Sequence, residues 1–124
     1  MRVIVSEKPS MGRAIAAALG INGKGRNYIE GNGVIVTWCI GHLVEAIPPD
    51  GYDPALKAWR LDTIPFFPEA FRYAPIARTK DQFDVVSALL NRKDVHDVVN
   101  ATDAGREGEL IFDLVYHQAG CNKP

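Results

Sequence analysis

Val3-Ile4-Val5 is a short continuous apolar run of the kind seen in strands buried on both faces. Behind it Met11, Ala14, Ile15, Ala18 and Leu19 recur at helical spacing as far as Gly20, with Pro9 suited to open the helix. Tyr28-Ile29-Glu30 and Val34-Ile35-Val36-Thr37-Trp38, separated by Gly31-Asn32-Gly33, predict a tight hairpin. Between Ile47 and Pro75 the periodicity fails. Most of the prolines gather there with Tyr52, Trp59, Phe66, Phe67, Phe71 and Tyr73, a composition that suits an extended, aromatic-pinned excursion better than a disordered linker. Such a segment is usually a lid or a docking surface, and short helical pieces are expected within it, for instance over Pro54 to Trp59. Thr79-Lys80-Asp81-Gln82 fits a capping box, and Phe83, Val86, Leu89 and Leu90 give the apolar face of a helix reaching Asn91. Val95 to Val99 predicts a further strand, and Leu110, Ile111, Leu114 and Val115 the helix after it.

With 124 residues the chain can bury one core and is too short for two. A formal charge of −1 argues against an isolated, strongly basic nucleic-acid binder, though not against a module of a larger one. Cys39 and Cys121 lack metal or redox spacing and suggest a reducing compartment. No apolar run approaches membrane length, and Arg2-Val3-Ile4-Val5 is too short for a signal-peptide core. The expectation is a soluble cytoplasmic protein with no membrane partner. Neither internal repeats nor low-complexity segments occur.

The chemistry concentrates in Ala101-Thr102-Asp103-Ala104-Gly105-Arg106-Glu107-Gly108-Glu109-Leu110, at a predicted strand-to-helix turn. On the helix, Glu107 is expected to share the apolar face of Leu110, Ile111 and Leu114, while Arg106, Glu109 and Asp113 face water. An acid closing a strand, with a second one turn into the helix, suits a hard cation such as magnesium. Acids in a first helical turn are equally what the helix dipole favours, at about 0.3–1 kcal/mol each. Both readings stay open on local chemistry. Glu7 and Lys8 occupy the corresponding place after the first strand, and ligands of open parallel sheets bind outside the carboxyl ends of strands. Alone, that pair also reads as a solvated start to a helix. Gly20-Ile21-Asn22-Gly23-Lys24-Gly25 lacks phosphate-loop spacing, and His42, with no second histidine at ligand distance, reads as a structural residue.

Together, Val3-Ile4-Val5-Ser6-Glu7-Lys8-Pro9-Ser10 and the 101–110 stretch resemble the Toprim domain of bacterial type IA topoisomerases, most closely the topoisomerase III branch. Thr37-Trp38 through Gly41-His42-Leu43 and the proline-aromatic segment extend the resemblance over essentially the whole chain. It implies a compact, Rossmann-like α/β domain over 1–124, with a mostly parallel sheet flanked by helices, a hairpin and the long excursion. It further implies that Glu7 handles the proton at a cleaved phosphodiester, that Lys8 holds the phosphate, and that Arg106 orients phosphate or a carboxylate. Glu7, Asp103 and Glu107 would face a magnesium ion, for which manganese could substitute, with no role for ATP. The implied partner is single-stranded DNA, and the implied location is the nucleoid within the cytoplasm.

Two departures from the family pattern stand out. The usual second aspartate of an Asp-x-Asp pair is Gly105 here, which bears on metal count and affinity. None of Tyr28, Tyr52, Tyr73 or Tyr116 lies in a stretch like the site of the family's nucleophilic tyrosine. The expectation is therefore the amino-terminal part of a longer isomerase, inactive alone, whose other domains supply the tyrosine for a 5′ phosphotyrosyl link. The alternative is a stand-alone Toprim nuclease or a primase-like phosphotransferase.

Overall fold

The computed structural model describes residues 1–124. In chain order the elements are β1 (Arg2–Ser6), α1 (Pro9–Ala18), β2 (Tyr28–Gly31), β3 (Val34–Trp38), β4 (Val44–Ala46), α2 (Pro49–Tyr52), β5 (Tyr73–Pro75), α3 (Lys80–Leu90), β6 (Asp97–Ala101) and α4 (Arg106–Gln118). The main sheet has the order β2-β3-β1-β6. β3, β1 and β6 run parallel, and β2 closes one edge antiparallel to β3. This is the mostly parallel α/β sheet the sequence implied. Register sets Ser6 beside both Trp38 and Ala101, so three strands end level and their following turns become neighbours.

Alternation along β1 distributes the core between two layers. Val3 and Val5, with Ile35 of β3, pack under Phe83, Val86, Leu89 and Leu90 of α3 and Ile111 and Val115 of α4. On the other face Ile4 and Val36 meet Ile15, Ala16 and Ile21. Each fully buried aliphatic side chain contributes on the order of 1.5–3 kcal/mol, which makes these two layers the main stabilising term.

The predicted hairpin forms, with a two-residue turn at Asn32 and Gly33 (φ 52° and 78°), the primed geometry that matches strand twist. Other details differ from expectation. The stripe of α1 that buries is Gly12 and Ala16 rather than the larger apolar residues, and Met11 and Leu19 stay 38% and 47% exposed. Close approach is the reason: a Cβ on Gly12 would lie 2.6 Å from the Trp38 ring. The capping box does not form. A 3₁₀ turn over Ala77–Thr79 feeds α3, Thr79 makes no side-chain cap, and Gln82 instead donates its amide to the Trp38 carbonyl at 2.6 Å. β6 lies two residues later than predicted because pairing with β1, not β-branched composition, decides its ends.

The excursion is a framed loop. Its base is a second sheet of β4 and β5, which was not expected, and within it lie α2 and 3₁₀ turns over Pro54–Lys57 and Leu61–Thr63, the first of them where a short helical piece was expected. Tyr52 is the hub. Its hydroxyl accepts the Arg72 backbone N–H at 2.7 Å, the Arg72 guanidinium lies 4.2 Å over its ring, and Phe66 meets its edge at 5.4 Å. No helix is long and apolar enough to cross a membrane.

Candidate functional site

Glu7, the first residue beyond β1, is buried at 8% exposure, unusual for an acid. Its Oε2 accepts the backbone N–H of Asp103 at 3.3 Å, across from the end of β6. On its other flank the Glu7 carbonyl accepts the N–H of Gly41 at 3.3 Å, while Cys39 donates its N–H to the Ser6 carbonyl at 2.8 Å. The β1 turn is thus tied to the turns after β3 and β6. Beneath Glu7, burial first and the nearby Glu7 charge second push the Cys39 thiol up to about 12, so Cys39 stays a neutral, packed group.

The 101–110 stretch is held by its own backbone. Asn100 accepts the Thr102 N–H (3.1 Å) and hydroxyl (2.7 Å) and donates to Glu109 (3.0 Å), which fixes the end of β6. Gly105 donates to the Asp103 carbonyl at 2.8 Å and stands as the N-cap of α4. A Cβ on Gly108 would lie 2.2 Å from the Asp103 carbonyl oxygen, so this glycine lets α4 press onto the turn.

That contact corrects the expected orientation of Glu107. The buried stripe of α4 is Gly108, Ile111 and Val115, which rolls Glu107 outward to 77% side-chain exposure and leaves Leu110 about half exposed. Glu107 does not share the apolar face. It instead reaches His42, whose Nε2 lies 3.7 Å from its Oε1. His42, expected to be a structural residue, thus faces an acid of the 101–110 stretch, because the strand order brings the turn after β3 to the start of α4. Gly41, at φ 64°, makes the bend that delivers it.

Lys8 and Arg106 are exposed and neither is engaged in an ion pair, leaving two free cations beside the strand ends. Arg106 borders an open depression with Gly105, Glu109, Leu110 and Asp113. Glu7 and Asp103 are adjacent through the hydrogen bond described, and Glu107 and His42 pair separately. No three His, Cys, Asp or Glu side chains converge into a ready-made metal cage. The oxygen donors of Asp103 and Glu107 nevertheless fit magnesium, which keeps several waters and takes only one or two carboxylates. Glu7 is buried, and its carboxylate already accepts the Asp103 N–H.

A family model described as Toprim domain matches residues 2–123. Among curated proteins, the chain is 46% identical over 123 residues to a protein named DNA topoisomerase 3 from Shouchella clausii, covering 99% of the chain and 17% of that relative. It is 45% identical over 122 residues to DNA topoisomerase 3 of Bacillus subtilis, covering 98% of the chain and 17% of the relative. The Staphylococcus saprophyticus protein of the same name matches at 45% over 122 residues. The chain therefore spans about one sixth of the length of these relatives.

Proposed function

The chain belongs to the Toprim family, and from that premise we propose that it is the catalytic, metal-binding part of a type IA DNA topoisomerase of the topoisomerase 3 kind. The observation that carries the reading is the buried Glu7 carboxylate held against the Asp103 turn, which joins the two motifs at one end of the sheet. In this reading a tyrosine from another domain attacks a phosphodiester of single-stranded DNA. The tyrosine hydroxyl gives its proton to solvent as its oxygen bonds to phosphorus, the bond from phosphorus to the 3′ oxygen breaks, and Glu7 gives the proton that the leaving oxygen needs. Religation reverses this, and Glu7 takes the proton back. Lys8 binds the phosphate from the start of α1, and Arg106 orients phosphate from the start of α4. Asp103 and Glu107 would hold magnesium, or manganese in its place, and a divalent cation there offsets phosphate charge.

The test is plasmid relaxation and strand cleavage by the full product of the gene that encodes this chain. Glu7→Gln keeps the shape and removes the proton, so cleavage is expected to fall by about 10²–10⁴-fold, the usual contribution of a positioned acid. Wild-type rates in Glu7→Gln would remove Glu7 from the chemistry. Cleavage of DNA by the 124-residue chain alone with magnesium would favour a stand-alone nuclease instead.

A further inference from the structure

The two acids proposed to hold a cation are not equally well held themselves. Asp103 sits in a turn whose N–H is bound to Glu7 and whose carbonyl accepts Gly105. Glu107 is the loose one. The roll of α4 that buries Gly108, Ile111 and Val115 turns its side chain out to solvent, where it makes no hydrogen bond, whereas nearby Glu109 is tied to Asn100 at 3.0 Å. The one charged partner within reach is His42, with Nε2 3.7 Å from Oε1. An exposed ion pair adds little to stability, and an acid in a first helical turn needs no histidine to suit the helix dipole. The value of the pair lies elsewhere.

His42 is firmly mounted for a residue in a turn. Before it, Cys39 and Gly41 donate their N–H groups to the Ser6 and Glu7 carbonyls at 2.8 and 3.3 Å. After it, Leu43 is fully buried and its carbonyl accepts the Ile76 N–H at 2.8 Å. The other two histidines pair with Asp97 (3.3 Å) before β6 and with Asp113 (3.1 Å) toward the end of α4, away from both motifs. His42 alone stands where the motifs meet. A fixed imidazole facing a loose carboxylate is how proteins orient an ion-binding acid, since ligating groups are held in place by outer partners. Orientation matters the more because residue 105, between the two acids, is a glycine and supplies no side-chain donor.

We propose that His42 is a positioning residue, whose Nε2–H draws the Glu107 carboxylate toward the Asp103 turn and so raises the affinity for a divalent cation. The separation of 3.7 Å is longer than a hydrogen bond, and rotation of the exposed Glu107 side chain closes it. The inference rests on reading Asp103 and Glu107 as the acids that hold magnesium or manganese. The experiment is manganese titration of the 124-residue chain, followed by the electron paramagnetic resonance of the free ion, with melting temperatures taken in its absence. His42→Ala is expected to weaken binding about ten-fold, the lower end of what outer partners of metal ligands supply, at an unchanged melting temperature. His42→Gln, which places an N–H donor at similar reach, should restore most of the affinity. In a Glu107→Ala background, His42→Ala should weaken binding no further, because His42 acts through Glu107. Equal affinity for wild type and His42→Ala overturns the inference. So does a His42→Gln protein that binds as weakly as His42→Ala, or a further loss in the Glu107→Ala background, since either makes the imidazole a ligand in its own right. Asp103→Ala reports on the reading beneath: binding that it leaves intact sinks the cation site at this turn, whereas binding lost in Asp103→Ala and kept in His42→Ala sinks only the role of His42. A wild-type chain that takes up no manganese sinks both.

Discussion

At the scale of single residues, two glycines of the 101–110 stretch do opposite jobs. Gly105 has φ −160° and ψ 172°, extended backbone that any residue adopts, and nothing lies within 4 Å of where a Cβ would be. Its backbone therefore gives no reason for glycine. As the N-cap of α4, a position where aspartate is preferred over glycine by a few tenths of a kcal/mol, it should accept Gly105→Asp with an unchanged or slightly higher melting temperature. If the 103–107 turn is the cation site, manganese titration of that variant should give tighter binding than wild type. Unchanged affinity would place residue 105 away from the metal. Gly108 is the contrary case. Helix propensity favours alanine there by about 1 kcal/mol, but the methyl would meet the Asp103 carbonyl 2.2 Å away. Overpacking against backbone costs about 1–3 kcal/mol, so Gly108→Ala should lower the melting temperature by several degrees and displace the Asp103 turn. A calorimetric scan settles it, and a rise in stability would mean that α4 is not pressed onto the turn.

At the scale of elements, helices and strands were legible wherever one periodicity governed a segment. The β1 and β3 runs, the hairpin and α3 all stand where the apolar pattern put them. What periodicity could not give was rotation about a helix axis when small residues form the contact. Both α1 and α4 turn a glycine toward the sheet, Gly12 against Trp38 and Gly108 against Asp103, and the larger apolar residues that seemed to define the buried face rotate partly outward. Glu107 moved with them. The pairing of Glu107 with His42 was hidden for a different reason, because it depends on β3 and β6 flanking β1, a long-range arrangement that no local pattern encodes. β4 and β5 were missed because three-residue strands inside a proline-rich stretch leave no alternation to read. By contrast, Glu7, Lys8 and Asp103 were legible as strand-end residues and Arg106 as a helix residue facing water, and the sheet sets their turns side by side.

At the scale of the whole molecule, charge is divided between the two ends of the sheet. At the amino ends of the strands, Arg2 binds Asp97 at 2.5 Å, and Arg92 bridges Glu30 at 2.6 Å and Asp94 at 2.7 Å. Hydrogen bonding to Arg2 holds the Asp97 carboxyl below its ordinary range, and Arg92 does the same for Asp94. Acids depressed in the folded state stabilise it above their unfolded values, near 3.9, and lose that contribution as pH falls through the folded ones. Melting curves should therefore show Arg92→Gln less stable than wild type at pH 7, with the gap closing below about pH 4. A gap independent of pH would mean that packing, not charge, is what Arg92 supplies.

The opposite end of the sheet predicts the alkaline behaviour. Cys39 lies beneath Glu7, where burial and then the carboxylate charge push its thiol up to about 12 from an ordinary value near 9. Its proton is retained in the folded state and released in the unfolded one throughout that window. The unfolded chain thus binds fewer protons than the folded one, and stability must fall as pH rises from about 9 to 12, by at most about 1.4 kcal/mol per pH unit for one group. Tyrosines and lysines titrate there too, so the informative quantity is the difference between wild type and Cys39→Ala. The variant should be less stable at neutral pH, because it leaves a small void in a fully buried position, and its deficit should shrink as pH rises above 9. Chemical denaturation at a series of alkaline pH values measures this directly. Parallel curves for the two proteins across the window would show that the thiol ionises as freely in the folded chain as in the unfolded one, and that the floor under Glu7 is wet rather than packed.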